Sequence, residues 1–212
     1  MLHFPAGLGY NRPLMMTVGL FGGTFDPVHV GHERMARAAL AMGLQRVVVM
    51  PCCLSPHKID AASHARPADG EHRRRMLELA LGAVAGVEIS TYELARGGVS
   101  FTWQTLEFLR EKFTGVRLAL LVGLDQYHKF PHWQRFAEWG RGLDIYVFGR
   151  AGQAPLTVGA AHAGPVYHWP TERIPAVSAS AIRQRVRAGQ SLTGLVSPPV
   201  AEYIRSRRLY LA

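Results

Sequence analysis

Residues 22–32, which read Gly-Gly-Thr-Phe-Asp-Pro-Val-His-Val-Gly-His, constrain the fold of this chain more than any other stretch. The apolar residues 18–21 before them predict a strand, and residues 33–42 after them predict a helix. The stretch is therefore predicted to be a glycine-rich turn between a first strand and a first helix. Gly22 and Gly23 let the backbone approach a ligand closely, and the N–H groups that begin such a helix bind phosphate.

Two histidines, His29 and His32, complete this turn. Their spacing places both rings on one face of the first helical turn, where they can contact negative charge that develops during phosphoryl or nucleotidyl transfer. A metal pair or a solvated helix start would also explain two histidines at this spacing. The stretch is neither a Walker A loop nor a G-x-G-x-x-G turn, so the prediction depends on the full string.

Strands and helices alternate along the rest of the chain. Further strands are predicted at residues 46–50, 87–90, 116–122, 143–148 and 166–169, and further helices at 71–83, 102–113, 178–188 and 199–208. This order predicts an α/β fold, Rossmann-like and doubly wound, with a mostly parallel sheet, helices on both faces and a small C-terminal helical portion. Thr102 is the predicted N-cap of its helix, and Ser178 or Ser180 that of another.

The length of 212 residues suits one domain. We expect a loose extension over residues 1–14 and a single domain over 15–212, with its closing helices from about residue 178. Met15 or Met16 is an alternative start to Met1. No apolar run is long enough to span a bilayer. The only cysteines, Cys52 and Cys53, are adjacent, which excludes a disulfide framework and favours a cytoplasmic location.

The formal net charge of +9 comes mostly from arginine, because the chain has only three lysines, Lys58, Lys112 and Lys129. Such a charge favours anionic partners. The arginines are mostly scattered and form no basic stripe interleaved with aromatic residues, so we favour phosphate-bearing metabolites over nucleic acid. A non-catalytic nucleotide-binding or RNA-binding module remains the alternative from a different functional class.

Ligands of doubly wound sheets bind at the carboxyl ends of the strands, near the point where the strand order reverses. The glycine-rich turn, residues 51–58 and Gly123 with Asp125 each follow a predicted strand. At this edge His57 and Lys58 are predicted to hold a substrate phosphate, although they could be exposed loop charges. Asp125 could accept a hydrogen bond from a ribose hydroxyl or a base amine, or cap a helix.

Two more segments have side chains suited to a nucleotide. Trp133 could stack on a heteroaromatic ring or belong to the core, and its spacing alone does not decide between them. Ser178 or Ser180 begins a predicted helix, and Arg183 one turn later can hold the same anion through its two-pronged guanidinium. Arg183 could equally be a solvated helix residue.

Together these residues resemble the bacterial nicotinate-nucleotide adenylyltransferases, a family with the T/H-x-G-H motif of the nucleotidyltransferase superfamily, here with His29 in the first position. The resemblance extends from about residue 18 to residue 210 and also includes residues 100–102 and Arg73 with Met76 and Leu77. It implies transfer of AMP from ATP to nicotinate mononucleotide, giving deamido-NAD and pyrophosphate. Mg²⁺ would be carried by ATP, without metal ligands assigned to the protein. Related enzymes that act on nicotinamide mononucleotide or pantetheine phosphate are the enzymatic alternatives.

The resemblance also implies roles for individual residues. The catalytic residues would be His29, His32, Lys58 and Arg183. The residues that bind ATP would be Gly22, Gly23, Thr24, Phe25, His29, His32, Gly123, Asp125, Ser180 and Arg183. The residues that bind the mononucleotide would be His57, Lys58, Phe101, Thr102, Trp103 and Trp133, with backbone N–H groups near residues 101–103 contacting its carboxylate and Trp133 stacking on its pyridine ring.

The chain departs from the family pattern at three positions. Phe101 replaces the usual Tyr, Ser180 replaces a common Thr, and Cys52 lies where a polar residue is frequent. The last difference puts one contact to the substrate phosphate in doubt, whereas none of the three affects the triphosphate site. The preference for acid or amide depends on backbone groups, so residue identities leave it open, as they leave open the oligomeric state.

Overall fold

The computed structural model describes residues 15–56, 67–149, 164–169 and 174–211. Its sheet has six strands in the order β3-β2-β1-β4-β5-β6. The strands are β1 (Thr17–Gly23), β2 (Arg46–Pro51), β3 (Val87–Ile89), β4 (Arg117–Gly123), β5 (Asp144–Phe148) and β6 (Val166–Trp169). Every neighbouring pair is parallel, which confirms the predicted strands and the Rossmann-like fold.

Five helices lie where the sequence predicts them. They are α1 (Val30–Ala41), α2 (Gly70–Leu81), α4 (Thr102–Lys112), α7 (Ala179–Arg187) and α8 (Pro198–Ser206). Three more helices escape prediction: α3 (Tyr92–Arg96), α5 (Leu124–Tyr127) and α6 (Phe136–Trp139). A helix of four or five residues is too short to show a helical period in its sequence.

The helix caps are predicted correctly in one case and wrongly in another. Ser178 caps α7, since its hydroxyl accepts a hydrogen bond from the N–H of Ala181 at 3.2 Å. Thr102, however, is the first residue of α4 rather than its N-cap. Phe101 takes the cap position with an extended backbone and no capping side chain, so a hydroxyl beside a helix start did not by itself identify the cap.

The core lies on both faces of the sheet because side chains of a strand alternate between faces. One face, including Val47 and Val49 of β2, packs against α1, α2, α7 and α8. The other face, including Val48 and Met50 of the same strand, packs against α4, α5 and α6. This arrangement confirms helices on both faces and places the two C-terminal helices together on one side.

The strand order reverses between β1 and β4, which are neighbours in the sheet. From β1 the chain proceeds outward to β2 and β3, and from β4 it proceeds to β5 and β6 in the other direction. The glycine-rich turn after β1 and the residues after β4 therefore meet at the reversal point, as the sequence predicts. No helix in the described ranges is long and apolar enough to cross a membrane.

Candidate active site

A cavity of about 540 Å³ opens at the carboxyl ends of β1 and β4. Its walls include these residues with sequence-predicted roles: Gly22, Gly23, Thr24, His29, His32, Phe101, Thr102, Gly123, Asp125 and Trp133. Four others, Phe25, Trp103, Ser180 and Arg183, do not belong to the walls of this cavity. The remaining two, His57 and Lys58, lie outside the residues that the structure describes. The structure thus brings together the turn after β1, the start of α4 and the segment after β4.

The two histidines form a reciprocal cap at the start of α1. His29 is the N-cap, and its Nδ1 accepts a hydrogen bond from the backbone N–H of His32 at 3.4 Å. The N–H of His29 in turn donates to Nδ1 of His32 at 3.3 Å, and the rings stack with centroids 3.7 Å apart. Because each Nδ1 is an acceptor, the hydrogen of each neutral ring is on Nε2. The pair is a fixed arrangement of two imidazole donors.

Packing around the turn holds the histidines in place. The ring of Phe25 is buried, and its centroid lies 4.9 Å from that of His32 in an edge contact. A Cβ at Gly23 would come within 3.0 Å of the Phe25 ring, and one at Gly31 within 3.0 Å of Nδ1 of His29. A Cβ at Gly22 would instead meet no atom within 4 Å. A side chain at position 23 would therefore crowd the Phe25 ring and one at position 31 would crowd His29, whereas Gly22 borders open space in the cavity.

Arg73 supports the turn from behind, a role that the sequence analysis did not assign. It is buried in α2, and its Nη1 donates to the carbonyl of Thr24 at 3.0 Å and to that of Cys52 at 2.7 Å. Its Nε donates to the carbonyl of Ala68 at 2.9 Å. A sequence signal existed, because Arg73 shares the helical spacing of the buried Met76. An arginine on a buried helix face needs acceptors, and here they are loop carbonyls.

Arg183 reaches the glycine-rich turn from α7. Its Nη1 donates to the backbone carbonyl of Asp26 at 2.7 Å, and its Nη2 donates to the hydroxyl of Ser180 at 3.2 Å. The guanidinium is thus anchored beside the histidine turn rather than extended into solvent. The joint action of Ser180 and Arg183 on one anion stays a prediction, because neither residue forms part of the cavity wall.

The start of α4 also lines the cavity, through Phe101 and Thr102; this part of the wall is called the α4 end, and the part formed by His29 and His32 the histidine end. The N–H groups of Gln104 and Thr105 both donate to the carbonyl of Phe101. Within the described parts of the chain, the N–H groups of Thr102 and Trp103 have no acceptor, since the N-cap Phe101 offers no side-chain oxygen. These two donors, together with the helix dipole, favour a negative group at this end of the cavity.

Glu93 is a buried carboxyl group in the cavity wall that the sequence analysis missed. It accepts a hydrogen bond from the hydroxyl of Thr105 and bonds also to Ser100. The Ser100 oxygen accepts from the N–H of Cys53 at 3.0 Å. Burial raises the pKa of Glu93, and the two hydroxyl hydrogen bonds oppose that rise. Glu93 therefore links α3, the segment before α4 and the residues after β2.

Trp133 and Asp125 follow β4 on the same side of the cavity. Trp133 is half-buried in the wall, and its ring contacts Phe130 edge-on with centroids 4.9 Å apart. Trp139 is buried in the core. Asp125 is exposed in the first turn of α5, and a Cβ at Gly123 would come within 2.6 Å of its Oδ1. Trp133 thus has both packing contacts and a face at the cavity.

Several known proteins are similar to this chain in sequence or in fold. A family model described as cytidylyltransferase-like matches residues 20–185. A probable nicotinate-nucleotide adenylyltransferase from Treponema pallidum (strain Nichols) is 35% identical over 92% of this chain and 99% of its own length. A protein of the same name from Bordetella pertussis is 35% identical over 91% of this chain and 97% of its own length.

Solved structures show the same fold at lower identity. Plasmodium falciparum nicotinic acid mononucleotide adenylyltransferase, solved with APC, has a TM-score of 0.73 at 14% identity and covers 92% of this chain and 97% of its own. The same enzyme has also been solved with NaAD. The sequence relatives, at 35% identity over nearly the whole chain, carry the family assignment. The chain belongs to the nicotinate-nucleotide adenylyltransferases, nucleotidyltransferase enzymes of cytidylyltransferase-like type.

Proposed function

We propose that this protein transfers AMP from ATP to nicotinate mononucleotide, which gives deamido-NAD and pyrophosphate. The observation that supports this most strongly is the pairing of two unlike anion sites in one cavity. The stacked histidines and the N-terminus of α1 form one site, and the N-terminus of α4 forms the other. The first suits a triphosphate, and the second suits the carboxylate of a pyridine ring.

The histidine end would bind and polarise ATP. With both Nδ1 atoms engaged by backbone N–H groups, His29 and His32 present Nε2 as the donor of each neutral ring. We assign His32 to the α-phosphate, whose equatorial oxygens gain charge in the transition state. Ser180 and Arg183 would bind the outgoing phosphates. Such donors act strongly because they are already oriented before charge develops.

The chemical step needs no covalent enzyme intermediate. A phosphate oxygen of nicotinate mononucleotide is already anionic, and it attacks the α-phosphorus of ATP directly. The new P–O bond forms as the bond between the α-phosphorus and its bridging oxygen breaks, and the electron pair of that bond leaves with pyrophosphate. The protein therefore contributes alignment and charge neutralisation. We extend this proposal to His57 and Lys58, which would hold the attacking phosphate.

Mg²⁺ enters this proposal as part of the ATP complex. When bound, it would neutralise phosphate charge, and its preferred ligands are phosphate oxygens and water, so the proposal requires no cage of protein ligands. Across the described ranges, no three His, Cys, Asp or Glu side chains converge into a metal site. Among the wall residues, Asp125 is an exposed carboxylate with oxygen chemistry that a hydrated Mg²⁺ tolerates, but we assign it to the adenosine.

The pyridine end would select the second substrate. The N–H groups of Thr102 and Trp103 would donate to its carboxylate, and Trp133 would stack on its ring. A carboxamide carries no charge to pair with the positive end of the helix dipole, and its NH₂ group faces donors rather than acceptors. This geometry favours the acid over the amide.

A pyrophosphate-release assay with ATP tests the proposal. We expect rapid release with nicotinate mononucleotide and much slower release with nicotinamide mononucleotide. Equal or faster turnover of the amide would contradict acid selectivity, and turnover only with pantetheine phosphate would identify a different adenylyltransferase. ATP binding without turnover, together with salt-sensitive RNA affinity, would instead indicate a non-catalytic module. We also propose a cytoplasmic location and no nucleic-acid partner.

A further inference from the structure

Asp26 joins three distant segments of the chain inside the glycine-rich turn. Its carboxyl group is buried, and Oδ1 accepts hydrogen bonds from the N–H of Ala68 at 3.1 Å and from the hydroxyl of Tyr210 at 2.8 Å. Its backbone carbonyl accepts from Nη1 of Arg183, which also lies 3.6 Å from Oδ2. Asp26 therefore contacts Arg183, which we propose binds the phosphates of ATP. It also contacts the segment before α2 and the C-terminal end of the described chain.

Tyr210 is held firmly in this position. It follows α8 and packs against the core cluster of that face of the sheet, 184 positions after Asp26. Its backbone φ of +66° lies in the left-handed region that residues with side chains seldom adopt. Burial and the charge of Asp26 raise the pKa of the Tyr210 hydroxyl, so it stays protonated and donates.

The contacts of Asp26 determine how strongly it attracts Arg183. With two donors on Oδ1, much of the carboxylate charge is already compensated, and the Arg183 guanidinium bonds chiefly to the backbone carbonyl. Without the Tyr210 hydroxyl, the buried carboxylate would keep only the hydrogen bond from the Ala68 N–H on Oδ1, and more of its charge would be left uncompensated. A cation 3.6 Å away would then be drawn toward Oδ2, in competition with any phosphate that needs the same guanidinium.

We propose that Tyr210 is a positioning residue for the triphosphate site: by donating to Asp26 it keeps Arg183 available to ATP. This inference rests on the proposed function, in which Arg183 binds phosphates of ATP. Tyr210 touches no substrate in this scheme and acts only through Asp26. The C-terminal end of the described chain thereby contributes to a site built mainly at the start of the first helix.

Tyr210→Phe tests the inference by removing one hydroxyl. We expect the KM for ATP to rise about three- to tenfold, the range expected for a weakened charged hydrogen bond, while the KM for nicotinate mononucleotide stays unchanged. The matched control is Tyr203→Phe in α8, because the Tyr203 hydroxyl lies 3.0 Å from Nδ1 of His72 and not at Asp26. Both variants lose one hydroxyl contact and should melt at similar temperatures, but only Tyr210→Phe should change the KM for ATP. Equal kinetic behaviour of the two variants would overturn the inference.

Two further variants separate this inference from the proposed function. In an Asp26→Asn background the competing charge is gone, so adding Tyr210→Phe should leave the KM for ATP unchanged; a further rise would contradict a route through Asp26. If Arg183→Ala raises the KM for ATP and Tyr210→Phe does not, only the inference fails. If Arg183→Ala has no effect on the KM for ATP, both the inference and the assigned role of Arg183 fail. The proposed adenylyl transfer itself is still tested separately, by the pyrophosphate-release assay on the unmodified protein.

Discussion

At the histidine end of the cavity, the two imidazole rings are held by each other, only three positions apart in the sequence. At the α4 end, the start of the helix is held by residues far away in the sequence. His29 and His32 cap each other across three residues. The start of α4 depends instead on a hydrogen bond from Cys53 to Ser100, 47 positions away, and on one from the Trp103 indole to Gln134, 31 positions away. The histidine pair itself is specified locally, whereas the start of α4 is specified only by the tertiary fold.

The two ends of the cavity also suit different roles, one in stabilising the transition state and the other in binding substrate. Oriented imidazole donors suit charge that appears only in the transition state, so changes to His29 or His32 themselves should affect mainly kcat. Backbone N–H groups and an aromatic face suit a ground-state ligand, so changes at the α4 end should affect mainly KM. The following variants test this division, from the largest expected effect to the smallest.

His32→Asn should produce the largest effect. An Asn amide oxygen can occupy the place of Nδ1 and keep the hydrogen bond from the His29 N–H, but it supplies no donor at the position of Nε2. We expect kcat to fall by about 10²-fold or more, since a lost transition-state donor costs roughly 3–4 kcal/mol, with little change in the melting temperature. Steady-state kinetics and thermal unfolding check both parts.

The control for this variant is His128→Asn, which alters an exposed histidine outside the cavity wall. It should leave kcat unchanged. A fully active His32→Asn enzyme would show that the imidazole serves only as a helix cap. The contrast between the two ends of the cavity would then be lost.

Trp133→Ala should have an intermediate effect. Loss of a stacking surface costs about 1–3 kcal/mol by analogy with base–aromatic stacking, so the KM for nicotinate mononucleotide should rise roughly fivefold or more while kcat changes little. Trp133→Phe keeps an aromatic face and should recover most of the loss. A defect confined to kcat would contradict stacking. It would also contradict the expectation that changes at the α4 end affect mainly KM.

Glu93→Gln should have the smallest effect, which is a change in how the free energy of unfolding depends on pH. Burial raises the pKa of Glu93 in the folded protein, so the folded state retains a proton that the unfolded state releases. The contribution of this group to stability therefore falls as the pH rises from the ordinary carboxyl range to the folded pKa. Urea unfolding should be measured from about pH 4 to pH 8. Over that range the free energy of unfolding of the Gln variant should rise relative to that of the unmodified protein. Glu111→Gln, at an exposed position of α4, is the control that should show no such trend.

Much of the fold could be predicted from the sequence because its signals are local. The strands are short runs of mostly apolar residues, and the long helices show clear apolar spacing. The helix α5 has only four residues and shows no period. Thr102 was predicted as a cap because hydroxyls usually cap helices, but Phe101 occupies that position here.

Part of the cavity wall, around the glycine-rich turn, could be predicted for the same reason. The glycine-rich turn places Gly22 and both histidines in the cavity wall, as its spacing predicts. The supporting residues Arg73, Glu93 and Tyr210 act on partners up to 184 positions away. No local pattern reveals such partners, because they meet only after the sheet has formed.

A structure of the protein with an unreactive ATP analogue and nicotinate mononucleotide would test the central claim most directly. The account predicts phosphate oxygens within hydrogen-bond distance of Nε2 of His29 and His32, and the pyridine carboxylate at the N–H groups of Thr102 and Trp103. A triphosphate bound away from the histidine pair, or a carboxylate that points away from α4, would contradict it.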